Sequence, residues 1–288
     1  MRLAFARFLA LLLASALCID VTAAAAQITV DAPSSLASAA QRVREVNLSG
    51  IAGALARAGL DLPSRIHVTL IPEGDPRARV TPTWIVGLAS GQERIAIFPD
   101  RVGSYPYDSL ESVVRHEIVH LSLATRAGGR RVPRWFHEGL AVSVETGWGI
   151  GGQLRLWVAT LKNPAISDLG RLFASDARPD AMEAYLLATA LVEDLRARHG
   201  AHVPGAIAAR VAPGLPFDAA FLIETGDTPD QAAAHAWARY ARSWTWVPVV
   251  TSTSAVWAGV MVLAFVVYAV RLRHRMRQRQ RWDVEDET

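Results

Sequence analysis

The sequence predicts an α+β domain, strands first and helices after, followed by one transmembrane helix. Three observations carry this expectation. Residues 65–71 have the composition of a strand that stops at Pro72, and 84–89 and 94–98 read as two further strands joined in a hairpin by Ser90-Gly91-Gln92-Glu93. From Ser109 onward the apolar residues recur at helical spacing. Residues 248–270 carry no charged side chain, a run that at about 1.5 Å per residue crosses a hydrocarbon core of roughly 30 Å.

Each element has its own boundary signals. Residues 36–58 are rich in Ala and Arg and predict a helix ending at Gly59. Asp108 or Ser109 caps a helix running to 125, and Gly128-Gly129 stops it. Pro133 opens a helix over 134–146, Gly200 closes one over 182–198, and 231–243 forms another that leads into the uncharged run. Residues 36–243 contain no long Gly/Ser linker and no repeat, which predicts a single domain.

Composition excludes several classes. Of 288 residues, 51% are hydrophobic and 20% charged, so the chain can build a core and is not disordered. The single cysteine, Cys18, excludes a disulfide framework and any Cys-based zinc or iron–sulfur site. The formal charge of +3 belongs to the ends: basic and acidic side chains balance over 27–247, and Arg271, Arg273, Arg275, Arg277, Arg279 and Arg281 follow the uncharged run. That distribution leaves no nucleic-acid footprint. Arg2 and Arg7, the apolar stretch 8–19 and the small residues Ala23–Ala26 predict a signal peptide over 1–26, which would remove Cys18. Trp244, Trp246 and Tyr268 flank a predicted span over 247–270, and the arginine block places the tail 271–288 in the cytoplasm. The expectation is a single-pass protein whose domain, 27–246, lies outside the cytoplasm, at the periplasmic face of a bacterial inner membrane.

The residues with the most chemistry are His116-Glu117-Ile118-Val119-His120. At i and i+4 on a helix, two imidazoles share one face and reach one ion, and Glu117 stands beside them as a general base. Zinc suits the pair, because it takes imidazole nitrogen and keeps a position open for water. Such a site needs a third protein ligand. Arg126 stands where a His-x-x-Gly-x-x-His continuation would put its last histidine. The next candidates are the neighbours His137 and Glu138, which point about 100° apart on a helix, so spacing alone does not choose between them. His67, His199, His202 and His235 read as structural or surface residues.

His116–His120 followed by Trp135-x-x-Glu138-Gly139-x-Ala141 resembles the gluzincin metallopeptidases of the thermolysin clan, and is most similar to the bacterial peptidase-MA-like families. The resemblance implies a zincin-like domain with a small N-terminal sheet and an active-site helix. It also implies that Glu138 is the third ligand. By the same resemblance Glu145, seven residues on, supports a zinc ligand from behind, although Val142 stands where thermolysin has its own supporting acid. Trp84, Gly87 and Ala89 resemble the edge strand on which an extended substrate pairs, and Tyr185 resembles the tyrosine that stabilises the oxyanion in the aminopeptidases. No Gly-x-Met-Glu-Asn motif is present for recognising a substrate amine end.

These readings together predict a membrane-anchored zinc peptidase acting on peptides or proteins, with Glu117 activating the attacking water. The alternative is a zincin-fold module without catalysis that binds peptides or partner proteins at the membrane surface. The sequence names neither substrate nor oligomeric state. An intramembrane protease is disfavoured, because Glu111, Arg115 and Arg126 surround the motif.

Overall fold

A computed structural model describes residues 26–103, 108–145, 155–156, 158–160, 162–175 and 177–243, with 257, 260–268, 270, 271 and 273. Four strands, β1 (Gln27–Asp31), β2 (Arg65–Leu70), β3 (Gly87–Ser90) and β4 (Arg94–Ile97), form one sheet in the order β1-β2-β4-β3. β1, β2 and β4 run parallel, and β3 pairs antiparallel with β4 at the edge. Alternation along β2 buries Ile66, Val68 and Leu70 on one face and leaves Arg65 and His67 exposed on the other. The sheet packs against α1 (Ala37–Arg44) and α4 (Leu110–Arg126), and α2 (Leu48–Arg57) lies against α4. A short helix, α3 (Pro76–Val80), lies in the connection from β2 to β3.

Helices complete the domain: α5 (Arg134–Glu145), α6 (Ile166–Ala174), α7 (Arg178–His199), α8 (Val203–Val211), α9 (Phe217–Thr225) and α10 (Pro229–Ser243). One core cluster extends from Ala39 to Trp237. α5 lies against α7 at backbone distance, because a Cβ on Gly139 would run into the carbonyl of Ala188. Trp135, Phe136, Phe217 and Phe221 pack edge-on at ring separations of 5.1–6.1 Å and join α5 to α9. Trp237 donates its indole N–H to the Pro164 carbonyl at 2.8 Å, which docks α10.

Several expectations need correction. The α+β assignment gives too little helix: the structure is 65% helical and its sheet is small. The stretches over 166–174, 203–211 and 217–225, not expected as helices, carry signals of their own. Asp168 accepts the Ala165 N–H, Pro204 lies in a first turn, Gly226 ends the last at φ 75°, and neighbouring helices cover their apolar sides. The single helix expected over 36–58 is two, since Asn47 caps α2 by accepting the Ser49 and Gly50 N–H groups and so breaks the run. The strand expected over 84–89 begins only at Gly87, with Trp84 in the turn before it.

The predicted transmembrane helix is also overturned. Among the described residues no helix is long and apolar enough to cross a membrane. The continuous described piece of that stretch, 260–268, is helical and exposed but spans only about 13 Å at 1.5 Å per residue. The expected localisation as a single-pass membrane protein, with an extracytoplasmic domain and cytoplasmic tail, rested on that helix and is withdrawn with it. Of the expected signal peptide over 1–26, residues 1–25 lie outside the described residues, as does the expected tail over 271–288 apart from 271 and 273.

Candidate metal centre

α4 carries the paired histidines through the middle of the molecule, and its ends are fixed locally. Ser109 accepts the Ser112 N–H, and the Ser112 hydroxyl closes the reciprocal half of a capping box. At the other end the Gly129 N–H donates to the Ala124 carbonyl at 2.8 Å. Leu110, Val113, Val114, Ile118 and Leu121 are buried in the core, which turns His116 and His120 toward α5. α5 starts beyond Pro133, whose carbonyl takes the His137 N–H, and its first turn carries Glu138 to the same place.

The structure brings His116, His120 and Glu138 together. His116 Nε2 lies 3.3 Å from Glu138 Oε2 and His120 Nε2 lies 3.6 Å from the same oxygen. All three donor atoms fall within 4.8 Å of one another. A tetrahedral ion with ligands at about 2.0–2.1 Å sets its donor atoms about 3.3 Å apart, so the two contacts to Glu138 match such an ion. This is a buried His/His/Glu group able to hold a metal ion. His137, the other candidate, is outside it. Its ring packs edge-on against His120 at 4.8 Å and it lines the neighbouring cleft.

The two histidines differ in how readily they offer a lone pair. Full burial pushes His116 down to about 4, leaving a neutral imidazole with a lone pair to give. His120 is buried too, but the hydrogen bond and charge of Glu138 outweigh desolvation and raise it. For Glu138 burial acts upward, yet the hydrogen bonds from the two imidazoles hold its carboxyl well below the usual range. Desolvation lowers His137 to about 4.

Glu117 lies between this group and the sheet. It is 2% exposed, and desolvation raises its carboxyl to about 7, with the nearby Glu138 charge adding to the shift. A backbone hydrogen bond from Ala89 opposes that rise. The approach of α4 to β3 depends on Gly87, where a Cβ would stand 2.5 Å from Glu117 Oε1 and 2.9 Å from Val113 Cγ1. Gly87 and Ala89 therefore give Glu117 clearance and a hydrogen bond.

A cleft of about 950 Å³ opens beside the group, with Glu117, His120 and Glu138 in its wall. Trp84, Gly87, Ala89 and Tyr185 all line it. Trp84 is 48% exposed at its rim, and the Tyr185 ring packs edge-on against Phe173 at 5.3 Å. Glu145 is the last residue of α5, and its side chain lies outside the described residues.

Two arginines that sequence reasoning passed over shape the site. Arg134 Nε stands 3.6 Å from Glu138 Oε1, and its Nη1 donates to the Phe173 carbonyl at 2.8 Å. Its guanidinium lies over the rings of Phe173 and Trp84 at 4.9 and 5.8 Å. The i,i+4 spacing of Arg134 and Glu138 on one helix was the available signal. Arg101, almost fully buried, pairs with Glu73 and donates to the carbonyls of Ala78, Pro82 and Ile85 at 2.9–3.0 Å, which fixes the loop carrying Trp84. Nothing in the local sequence marks those four distant partners. Comparison with known protein families and with curated proteins finds no match for this chain.

Proposed function

We propose that this protein is a zinc-dependent peptidase in which Glu117 is the general base. The observation that carries the reading is the placement of a buried, hydrogen-bonded carboxylate directly between three converging metal donors and an open sheet edge. Two imidazoles and one carboxylate are the donor types and number that a zinc with one position left for water would take, and their donor atoms lie within 4.8 Å of one another. Zinc bound there supplies a Lewis acid that polarises a carbonyl and makes water acidic at neutral pH.

The chain's own residues do the rest. His116 Nε2, His120 Nε2 and Glu138 Oε2 hold the ion, while Arg134 at Oε1 keeps the Glu138 carboxylate turned. A cation beside Glu117 favours its ionised form, and a carboxylate poised near neutrality both takes and gives a proton. Glu117 accepts a proton from the attacking water as the new C–O bond forms. It returns that proton to the amine nitrogen as the C–N bond breaks. Tyr185, in the same cleft, is the candidate donor to the carbonyl oxygen.

Substrate pairing on β3 follows from its register. The Phe98 N–H donates to the Val86 carbonyl at 2.9 Å, and antiparallel alternation then turns the backbone groups of Leu88 and Ser90 toward β4. Those of Gly87 and Ala89 face the other edge, where the Ala89 N–H is taken by Glu117 and the remaining groups can pair with an extended peptide as a further strand.

The test is cleavage of a broad peptide library by zinc-loaded wild type and Glu117→Gln. Wild type is expected to cleave, and the variant to keep its zinc but lose activity by about 10²–10⁴-fold. Stoichiometric zinc with no cleavage by wild type would overturn the reading in favour of a non-catalytic binding module.

A further inference from the structure

The loop from α4 to α5 brings cations to the cleft that the chemistry above does not use. Gly128 and Gly129 turn the chain with φ of 62° and 72°, and the Arg130 N–H closes the turn on the Ala127 carbonyl at 3.1 Å. A Cβ on Gly128 would stand 3.3 Å from the Ala212 Cβ, so the turn is packed against the end of α8. The chain leaving it lines the cleft with Arg130, Arg131 and Arg134.

The three guanidinium groups are engaged to different degrees. Arg130 Nε donates to the Ala212 carbonyl at 3.0 Å. Arg134 is committed to Phe173 and Glu138. Arg131 is exposed and has no hydrogen bond or ion pair among the described residues. Glu117 and Glu138, both at the metal centre, are the only described carboxylates in the cleft wall. A divalent ion would balance those two and Arg134 pairs with Glu138, which leaves Arg130 and Arg131 facing the cleft with no carboxylate of their own in its described wall.

We infer that the cleft selects peptides carrying a carboxylate, with Arg131 as the specificity-determining cation. The inference rests on the peptidase reading for its substrate class. A guanidinium takes a carboxylate bidentately, and Arg131 has both faces of that fork available. Because the side chain is solvated, the preference is modest and salt-sensitive, about fivefold at low ionic strength. The carboxylate is either an acidic side chain or a free peptide C-terminus.

Fluorescence anisotropy on the full-length Glu117→Gln protein, with and without zinc, tests this. Three labelled peptides of equal length are compared: Glu-containing with an amidated end, neutral with an amidated end, and neutral with a free end. One or both carboxylate peptides should bind about fivefold tighter than the neutral amide, and which of them does so identifies the source. The advantage should vanish in Arg131→Glu and with added salt, and survive in Arg94→Glu, a control on the exposed end of β4. Melting temperatures check that each variant is folded. Equal binding of all three peptides, or a preference that survives Arg131→Glu, would overturn the inference. Absence of cleavage by wild type defeats the peptidase reading instead, and the binding comparison still decides the charge preference.

Discussion

Asp194 and Glu138 are both carboxylates buried between helices, and they are satisfied in opposite ways. Asp194, with its side chain 0% exposed, accepts from Arg198 at 2.6 Å and pairs with Arg239. Arg198 reaches on to Asp227 at 3.0 Å, and Asp227 takes His235 at 3.2 Å. Each acid in that cluster has a permanent cation beside it. Glu138 instead faces two imidazoles, one of them held neutral by burial, and its one arginine stands 3.6 Å away at the other oxygen. A buried charge with fixed counter-charges is complete and reads as a fastening between α7 and α10. Glu138, whose partners are two imidazoles and one more distant guanidinium, sits among converging donors, and that geometry can take a metal ion.

The contrast is sharpest in what removal of each acid should cost. Asp194→Ala leaves two guanidinium groups without their shared partner and should destabilise the protein by about 3 kcal/mol in urea unfolding. Glu138→Gln, made in metal-free protein, keeps an acceptor for the imidazoles but loses the charge that they and Arg134 stabilise, and should cost about 1–2 kcal/mol. Equal losses at the two sites would break the comparison. Next in size is the effect of the metal. Zinc at a hundred times its dissociation constant should stabilise wild type by about 2.7 kcal/mol, seen as a rise in melting temperature, and leave His120→Ala unmoved.

The two clusters also differ in how legible they were in the sequence. His116, Glu117 and His120 fit within one helical turn, so their juxtaposition needs nothing but a helix, and the cap at Ser109 and stop at Gly128 were readable beside it. Glu138 was reached only through a resemblance, because its choice over His137 depends on how α5 rotates against α4. That rotation is set by Phe136, Leu140 and Ala141 entering the core and by Gly139 meeting α7. The pairing of Asp194 with Arg239 and of Arg198 with Asp227 joins residues far apart in sequence, and no local pattern announces it. The helices α6, α8 and α9 did leave local marks, in Asp168, Pro204 and Gly226, but each is only nine residues long and offers little periodicity to read. The apolar run near the C-terminus taught the opposite lesson, as length and hydropathy there predicted a spanning helix that the described residues do not contain.

A smaller effect tests the contact between the metal centre and the sheet. Gly87→Ala should cost about 1–2 kcal/mol through overpacking and should displace Glu117, so peptide cleavage falls while zinc content stays. A variant with normal activity would separate Glu117 from β3. The smallest prediction concerns acid. Burial acts to raise Asp227, but the hydrogen bonds from Arg198 and His235 hold it below the ordinary value. Its folded value is depressed, so its contribution is full above the unfolded value near 3.8 and is lost as pH falls through the folded one. Arg198→Gln should flatten the fall in stability below that pH, and an unchanged slope would remove Asp227 from the fastening.

The proposed function requires a metal ion held by His116, His120 and Glu138. Calorimetric titration of metal-stripped protein with zinc measures it directly. Wild type should bind one zinc per chain with release of the proton that His120 carries, since His116 is already neutral, and Glu138→Ala and His116→Ala should lose that site. No binding by wild type, or equal binding by wild type and Glu138→Ala, would contradict it.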